Sequence, residues 1–445
     1  ITMRSDINKI SSSSLKKTQV IDAIKRFIIP KLDYELLINA APINKLKELD
    51  AFIRKSISTK IGSHGLPIDW FYSAKKDGGL NLQSIFERYN ALKIRLYVGL
   101  RESKDERNRR MIISSDNDKM SYRDAVRVLD SPFLNVPING TGCIHCKRHC
   151  GTSNTLNCTV KALHDIHFGL THTDYEFKLF PFNHIIENQE IITVNSKNIM
   201  KTIMRFLQSR HIDALVEHPL KGHSFTTLRN SPLSNFFINP LVKAADSVTN
   251  FALRAIHSSL FTGSLQSFRS DNHDNDTRLC SRCNEIETQH HLLNGCKLRK
   301  HKFTKRHDEV VTILRNHIMD KWKVITHANQ VVRGYDSVGP NSGLKPDLWY
   351  WDHNKLFILE FTIPYGMKTD NSSSSLELRR NQKINKYKPL VEDCAQQFHC
   401  DVELIVIIVS SLGEVPKETI DDIKKIVHSD HDVKKVVKKM VITSI

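Results

Sequence analysis

Cys280-Ser-Arg-Cys283 is followed by His291 after seven residues and by Cys296 after four more. Three thiolates and one imidazole at this spacing can close a tetrahedral structural zinc site. Such a site dictates local shape, because a C-x2-C turn and an H-x4-C stretch must fold back on one another in a small knuckle. The alternative is three cysteines buried in a core strand or helix. Asn284, Glu285, Glu287, Gln289 and Asn294 lie between and around the ligands, and they are too polar for that. His290 is adjacent and could serve instead of His291, but the spacing favours His291.

A second group is Cys143-Ile-His-Cys146-Lys-Arg-His-Cys150 with Cys158. It could hold another metal ion, but His145, His149, His164 and His167 compete as ligands, so the set is undetermined. Cysteine totals nine. An odd number, tight clusters and neighbouring histidines fit metal binding in a reducing compartment better than disulfides.

The sharpest catalytic pattern is Lys345-Pro-Asp347 followed by Glu360, which ends the apolar run Leu356-Phe-Ile-Leu. Leu348–Tyr350 and Leu356–Thr362 read as strands flanking a turn at Asp352-His353-Asn354. One hairpin would then supply two carboxylates. Phosphodiester hydrolysis needs a hard cation that polarises the phosphoryl oxygen and acidifies a water. Magnesium takes oxygen ligands and is typically held by one or two carboxylates. Asp347 and Glu360 fit that role, with the Phe361 carbonyl a third ligand. A glutamate in a buried strand must be paired or metal-bound. The bland alternative is a Pro-Asp turn and a glutamate at a strand end on the surface.

Spread along the chain, apolar residues recur at helical spacing over Leu15–Ile57, with breaks expected at Pro30 and Pro42, and again over Ile85–Leu100, Ile199–Leu215 and Leu241–Leu260. A turn is expected at Lys76-Asp-Gly-Gly-Leu80, and residues 101–200 read as polar and irregular. Lys302–Leu314 is expected to be a basic helix. Ser372–Phe398 and Lys417–His428 are also helical in pattern, while Val402–Ser410 reads as a buried central strand. The last third is therefore an α/β layer arrangement, and there is no internal repeat. The formal charge of +17 favours a nucleic-acid partner, since lysine and arginine neutralise phosphates and release counterions. No run approaches the ~20 apolar residues of a membrane helix, so no membrane partner is expected. Residue 1 is isoleucine, which suggests the C-terminal piece of a longer protein.

The carboxylate pair resembles the PD-(D/E)-x-K nuclease superfamily, with one departure. The usual lysine two residues after the acid is Thr362 here. The following helix offers Lys383, Lys386 and Tyr387; Lys383 and Tyr387 share a face. Lys383 is the first candidate for the catalytic lysine and Lys386 the alternative. The bland reading of these lysines is a solvated basic face.

The order of parts adds to this. Lys76-Asp-Gly-Gly-Leu80, His211-Ile-Asp-Ala-Leu215, the Cys-Cys-His-Cys knuckle with Glu287-Thr-x-x-His291, Lys305-Arg-His-Asp308 and the carboxylate pair follow one another. This order resembles the C-terminal part of the polyprotein of site-specific non-LTR retrotransposons with a restriction-like endonuclease, the family inserted in insect ribosomal RNA genes. The resemblance implies a mixed fold. Residues 1–100 would be the end of a reverse transcriptase with its all-α, thumb-like region, and 101–270 a linker region, partly helical. Residues 271–300 would be the knuckle and 301–445 a restriction-endonuclease-like α/β domain. It implies nicking of target DNA in the nucleus to prime copying of element RNA. Polymerisation would belong to the intact protein, since no Tyr-x-Asp-Asp occurs in this chain. Structural zinc, catalytic magnesium, target DNA and element RNA follow as cofactors and partners, with a second copy of the chain a further candidate. The knuckle and the region around His211 would help place nucleic acid. Arg306, His307 and Lys345 would contact it, although a bracing role for Arg306, His307 and Asp308 fits equally.

Overall fold

The computed structural model describes residues 2–39, 41–63, 65–110, 133–134, 155–172, 176–181, 191–219, 221–229, 231, 233–234, 245–269, 278–332, 343–366 and 375–445. They form a mixed structure of helices and two four-stranded sheets, divided into two compact units. No helix among them is long and apolar enough to cross a membrane.

The first unit holds residues 1–60, 71–73 and 80–211. Pro30 does not break the early helical run. A π turn (Ile24–Ile28) passes into a 3-10 turn (Ile29–Leu32), and Pro30 sits at the start of that turn, where its missing N–H is tolerated. Pro42 does precede a new helix, α1 (Ile43–Ile61). Helix α2 (Ile85–Arg101) starts on Ser84, whose hydroxyl accepts from the Glu87 N–H at 3.3 Å and donates to Asp50 at 2.6 Å. Beyond it, the stretch expected to be irregular carries an antiparallel sheet in the order β1 (Phe133–Leu134), β2 (Phe168–His172), β3 (Phe177–Pro181) and β4 (Ile192–Val194), with helix α3 (Thr155–Asp165) before β2. Ile94, Tyr97 and Val98 of α2 share one core with Leu163, Phe168, Leu170, Leu179 and the start of helix α4 (Ile199–Glu217). Strands of two to five residues are too short for alternation to stand out in sequence. His211 lies on α4, with Nε2 2.8 Å from Glu87 Oε1 and its ring 5.1 Å from that of Tyr72. Cys143, Cys146 and Cys150 lie outside the described residues, as does the side chain of Cys158.

The second unit holds residues 61–70, 74–79 and 212–445. Gly78 ends the 3-10 turn Lys75–Asp77 with φ +90°, a conformation open to glycine. Helices α5 (Asp246–Ile256) and α6 (Gly263–Arg269) lead to the cysteine segment, and a 23-residue helix α7 (Lys300–Trp322) follows it. The second sheet runs in the order β5 (Thr326–Ala328), β6 (Leu348–Asp352), β7 (Lys355–Thr362), β8 (Asp401–Ile408). The first two pairings are antiparallel, and β8 joins β7 in parallel. A parallel neighbour needs a crossover, supplied by α8 (Ser375–Phe398). Among the described residues β8 is therefore an edge strand, not the expected central one. Its apolar run is explained by cover from α8 and from helix α9 (Lys417–Ile426). A last helix, α10 (Asp430–Ser444), was not anticipated; it buries Val433, Val436, Val437, Met440 and Val441.

Candidate functional site

The β6–β7 register explains how two carboxylates thirteen positions apart meet. Leu348 pairs with Leu359 and Trp349 with Ile358. One step before Leu348, Asp347 stands opposite Glu360, and residues directly opposed on antiparallel strands project from the same face. The Asp347 N–H donates to Glu360 Oε2 at 3.4 Å, and the Phe361 N–H donates to Asp347 Oδ2 at 2.7 Å.

That face lies under α8. Trp349, Leu356 and Ile358 pack with Tyr387, Leu390 and Cys394 in one cluster. Continuing the two patterns, Glu360 follows Leu356 and Ile358 along the strand, and Lys383 precedes Tyr387 by one helical turn. Lys383 thus meets Glu360, and its ammonium donates to Glu360 Oε1. Glu360 is 2% exposed. Burial, and next the charge of Asp347, raise its pKa. Two acidic groups held together in a desolvated place favour a neighbouring cation or a proton on one of them. Lys383 is one such cation, and the oxygen-only donor set of Asp347, Glu360 and the Phe361 carbonyl fits a hard divalent cation as another. Lys386 instead donates to the Tyr387 hydroxyl at 3.2 Å, and that hydroxyl donates to the Lys345 carbonyl at 3.1 Å. The Lys345 side chain is exposed.

Arg306 and His307, for which nucleic-acid contact and a bracing role were equally expected, both make contacts within the chain. The Arg306 guanidinium donates to the Leu293 carbonyl at 3.0 Å and to Asn294 Oδ1 at 3.1 Å, and burial lowers its pKa to about 10. His307 Nε2 lies 3.3 Å from Asp347 Oδ2 and 3.4 Å from the Phe361 carbonyl, and Nδ1 lies 3.2 Å from Asp308 Oδ1. The hydrogen bond to Asp347 is the main reason its pKa rises to about 9. The sequence pattern gave no signal for this contact, because a helix and a hairpin forty residues apart supply its two ends.

The knuckle assembles as its spacing demands. Ligand atoms of Cys280, Cys283, His291 and Cys296 all lie within 4.8 Å of one another. Cys283 Sγ is 3.2 Å from His291 Nε2 and 3.8 Å from Cys296 Sγ. Asn284 takes φ +57° to turn the chain, and the Cys280 N–H donates to the Glu285 carbonyl at 2.8 Å. The backbone N–H of Arg282, then that of Cys283, draws the Cys280 thiol down to about 7 against the effect of burial. His291 Nδ1 faces Glu285 at 3.5 Å, the outer carboxylate that commonly orients a ligating imidazole. This Cys3His set could bind zinc. His290 is not part of it and packs its ring 5.2 Å from Tyr365.

The residues of Glu287-Thr-Gln-His-His291 each have a local task. Glu287 Oε2 accepts from the Gly263 N–H at 3.0 Å, and Thr288 Oγ1 accepts from the His291 N–H at 3.0 Å. Gln289 Nε2 donates to the Ala255 carbonyl at 2.7 Å and to the Tyr365 hydroxyl at 3.0 Å. Asn294 donates to the Ile363 carbonyl at 2.7 Å, just beyond β7, and Leu293 shares a core with Leu260, Ala255 and Leu412. The knuckle and the β7 hairpin are consequently one packed assembly. A cleft of about 540 Å³ runs between them, from Lys383 and Thr362 to His290 and Asn294, with Arg379 and Gln382 on its α8 wall. A comparison with protein-family models finds none that matches, and a comparison with curated proteins likewise finds none, so the chemistry of these residues is what bears on function.

Proposed function

We propose that this chain is the nuclease-bearing part of a retroelement protein, a magnesium-dependent endonuclease that nicks target DNA in the nucleus. The exposed 3′-hydroxyl would prime copying of the element's RNA by the polymerase of the intact protein. The observation that carries the nuclease is the convergence of Asp347, Glu360 and Lys383 from two strands and a helix. Asp347, Glu360 and the Phe361 carbonyl would hold the cation. When bound, magnesium supplies Lewis acidity at the phosphoryl oxygen and a water of lowered pKa. Lys383 opposes the burial that raises the Glu360 pKa and sets a positive charge at the cleft where a phosphate would lie. Arg379 adds positive charge to the cleft wall, and Lys345, two residues before Asp347, is exposed. Zinc in the Cys3His set would be structural, since all four positions are protein ligands.

The departure at Thr362 favours one other reading, a zinc-containing nucleic-acid-binding remnant without chemistry. Nicking of supercoiled DNA in magnesium separates the two. The wild type is expected to nick, and Asp347→Ala to abolish nicking while DNA binding is retained. Nicking that persists in Asp347→Ala, or is absent in the wild type, refutes the nuclease.

A further inference from the structure

We propose that His307 is the positioning residue of the carboxylate centre: it fixes Asp347 through one oxygen so that the other is presented to the cation. The inference rests on the nuclease reading above and goes beyond it, because that reading assigns the cation to the hairpin alone.

Asp347 Oδ2 takes two donors, the Phe361 N–H at 2.7 Å and His307 Nε2 at 3.3 Å. Two donors on one oxygen hold the carboxylate in one orientation and leave Oδ1 for a metal, as a monodentate ligand requires. The imidazole is itself fixed at its other nitrogen by Asp308, 3.2 Å from Nδ1. Its Nε2 also reaches the Phe361 carbonyl at 3.4 Å, which has a second lone pair for a cation. The helix carrying His307 is anchored one residue earlier. Arg306 bonds the Leu293 carbonyl and Asn294, and Asn294 bonds the Ile363 carbonyl. The path from knuckle to Arg306 to His307 to Asp347 gives the zinc segment a structural reason to sit beside the carboxylates.

The test measures Mn2+ binding to the zinc-loaded full chain by the loss of the free-ion EPR signal, with no reaction involved. Outer-shell partners of metal ligands typically change affinity by about 10–100-fold. His307→Ala is therefore expected to weaken Mn2+ by that range. His307→Gln keeps an N–H donor near the Nε2 position and is expected to recover most of the affinity. Thermal unfolding is followed alongside. A purely structural His307 would lower the melting point of His307→Ala and leave the Mn2+ affinity of the folded protein unchanged, and that result overturns the inference. Asp347→Ala serves as the reference. If it loses Mn2+ while His307→Ala does not, only the role of His307 falls. If Asp347→Ala binds as the wild type does, or the wild type does not bind, the nuclease reading falls and this one with it.

Discussion

Lys383 is bonded to Glu360, and Thr362 stands two residues after Glu360, where the nuclease superfamily that the carboxylate pair resembles carries a lysine. In the proposed nuclease, the positive charge beside the acid would come from a helix instead of the strand. Removing it strands a carboxylate that is 2% exposed, and breaking a buried pair in this way costs roughly 3–5 kcal/mol. Lys383→Ala should lower the unfolding midpoint and reduce nicking about 100-fold or more, on the scale of losing a preorganised charge. Lys386→Ala removes a contact with the Tyr387 hydroxyl and should cost less on both measures. Equal losses in the two variants would sink the assignment of Lys383.

Thr362 offers a complementary test. It lies two residues after Glu360 on the same strand, hence on the same face, and lines the cleft with Lys383. A lysine restored there should reach the position that Lys383 now fills. The double variant Lys383→Ala, Thr362→Lys is expected to regain at least ten times the nicking rate of Lys383→Ala alone, by the same charge argument. No regain in a folded double variant would mean that the charge must come from the helix.

Much of this site was legible because its parts are local. The hairpin turn, the two acidic residues and the C-x2-C…H-x4-C spacing sit within short segments, and the register of one hairpin is enough to bring Asp347 opposite Glu360. A bracing role for His307 was one of two open readings, but its partner Asp347 was hidden, because it comes from a different element. The edge position of β8 was hidden for a related reason. Cover by two helices, α8 and α9, leaves the same apolar run as a central position. The small sheet of the first unit escaped notice because its strands are too short to carry a period.

The knuckle yields a prediction about metal and stability together. Cys296→Ser removes one thiolate from the Cys3His set and should lower the zinc content by one ion per chain, measured by elemental analysis. The loss should propagate, since Leu293 packs against Leu412 and Asn294 bonds the Ile363 carbonyl. The unfolding midpoint should fall in the same variant, because structural zinc binding is coupled to folding. An unchanged zinc content would exclude Cys296 as a ligand.

Glu414 provides a test of the fold that is independent of any metal. Its carboxyl is buried at 1% exposure and bonded to the Ser410 hydroxyl at 2.6 Å. Burial raises its pKa from 4.5 to about 7, against the opposing effect of Ser410. The folded chain therefore favours the protonated acid. The associated stability is fully present below pH 4.5, declines as pH rises, and is gone above about pH 7, where the unfolded chain ionises at no such cost. With about 1.4 kcal/mol for each pKa unit, the loss amounts to roughly 3 kcal/mol. Glu414→Gln keeps the shape and cannot ionise. Urea unfolding of both proteins at pH 5 and pH 8 should show the stability difference moving in favour of Glu414→Gln by most of that amount, about 2.5 kcal/mol, at the higher pH. A difference that stays constant between the two pH values would mean that Glu414 is already ionised in the folded chain at pH 5.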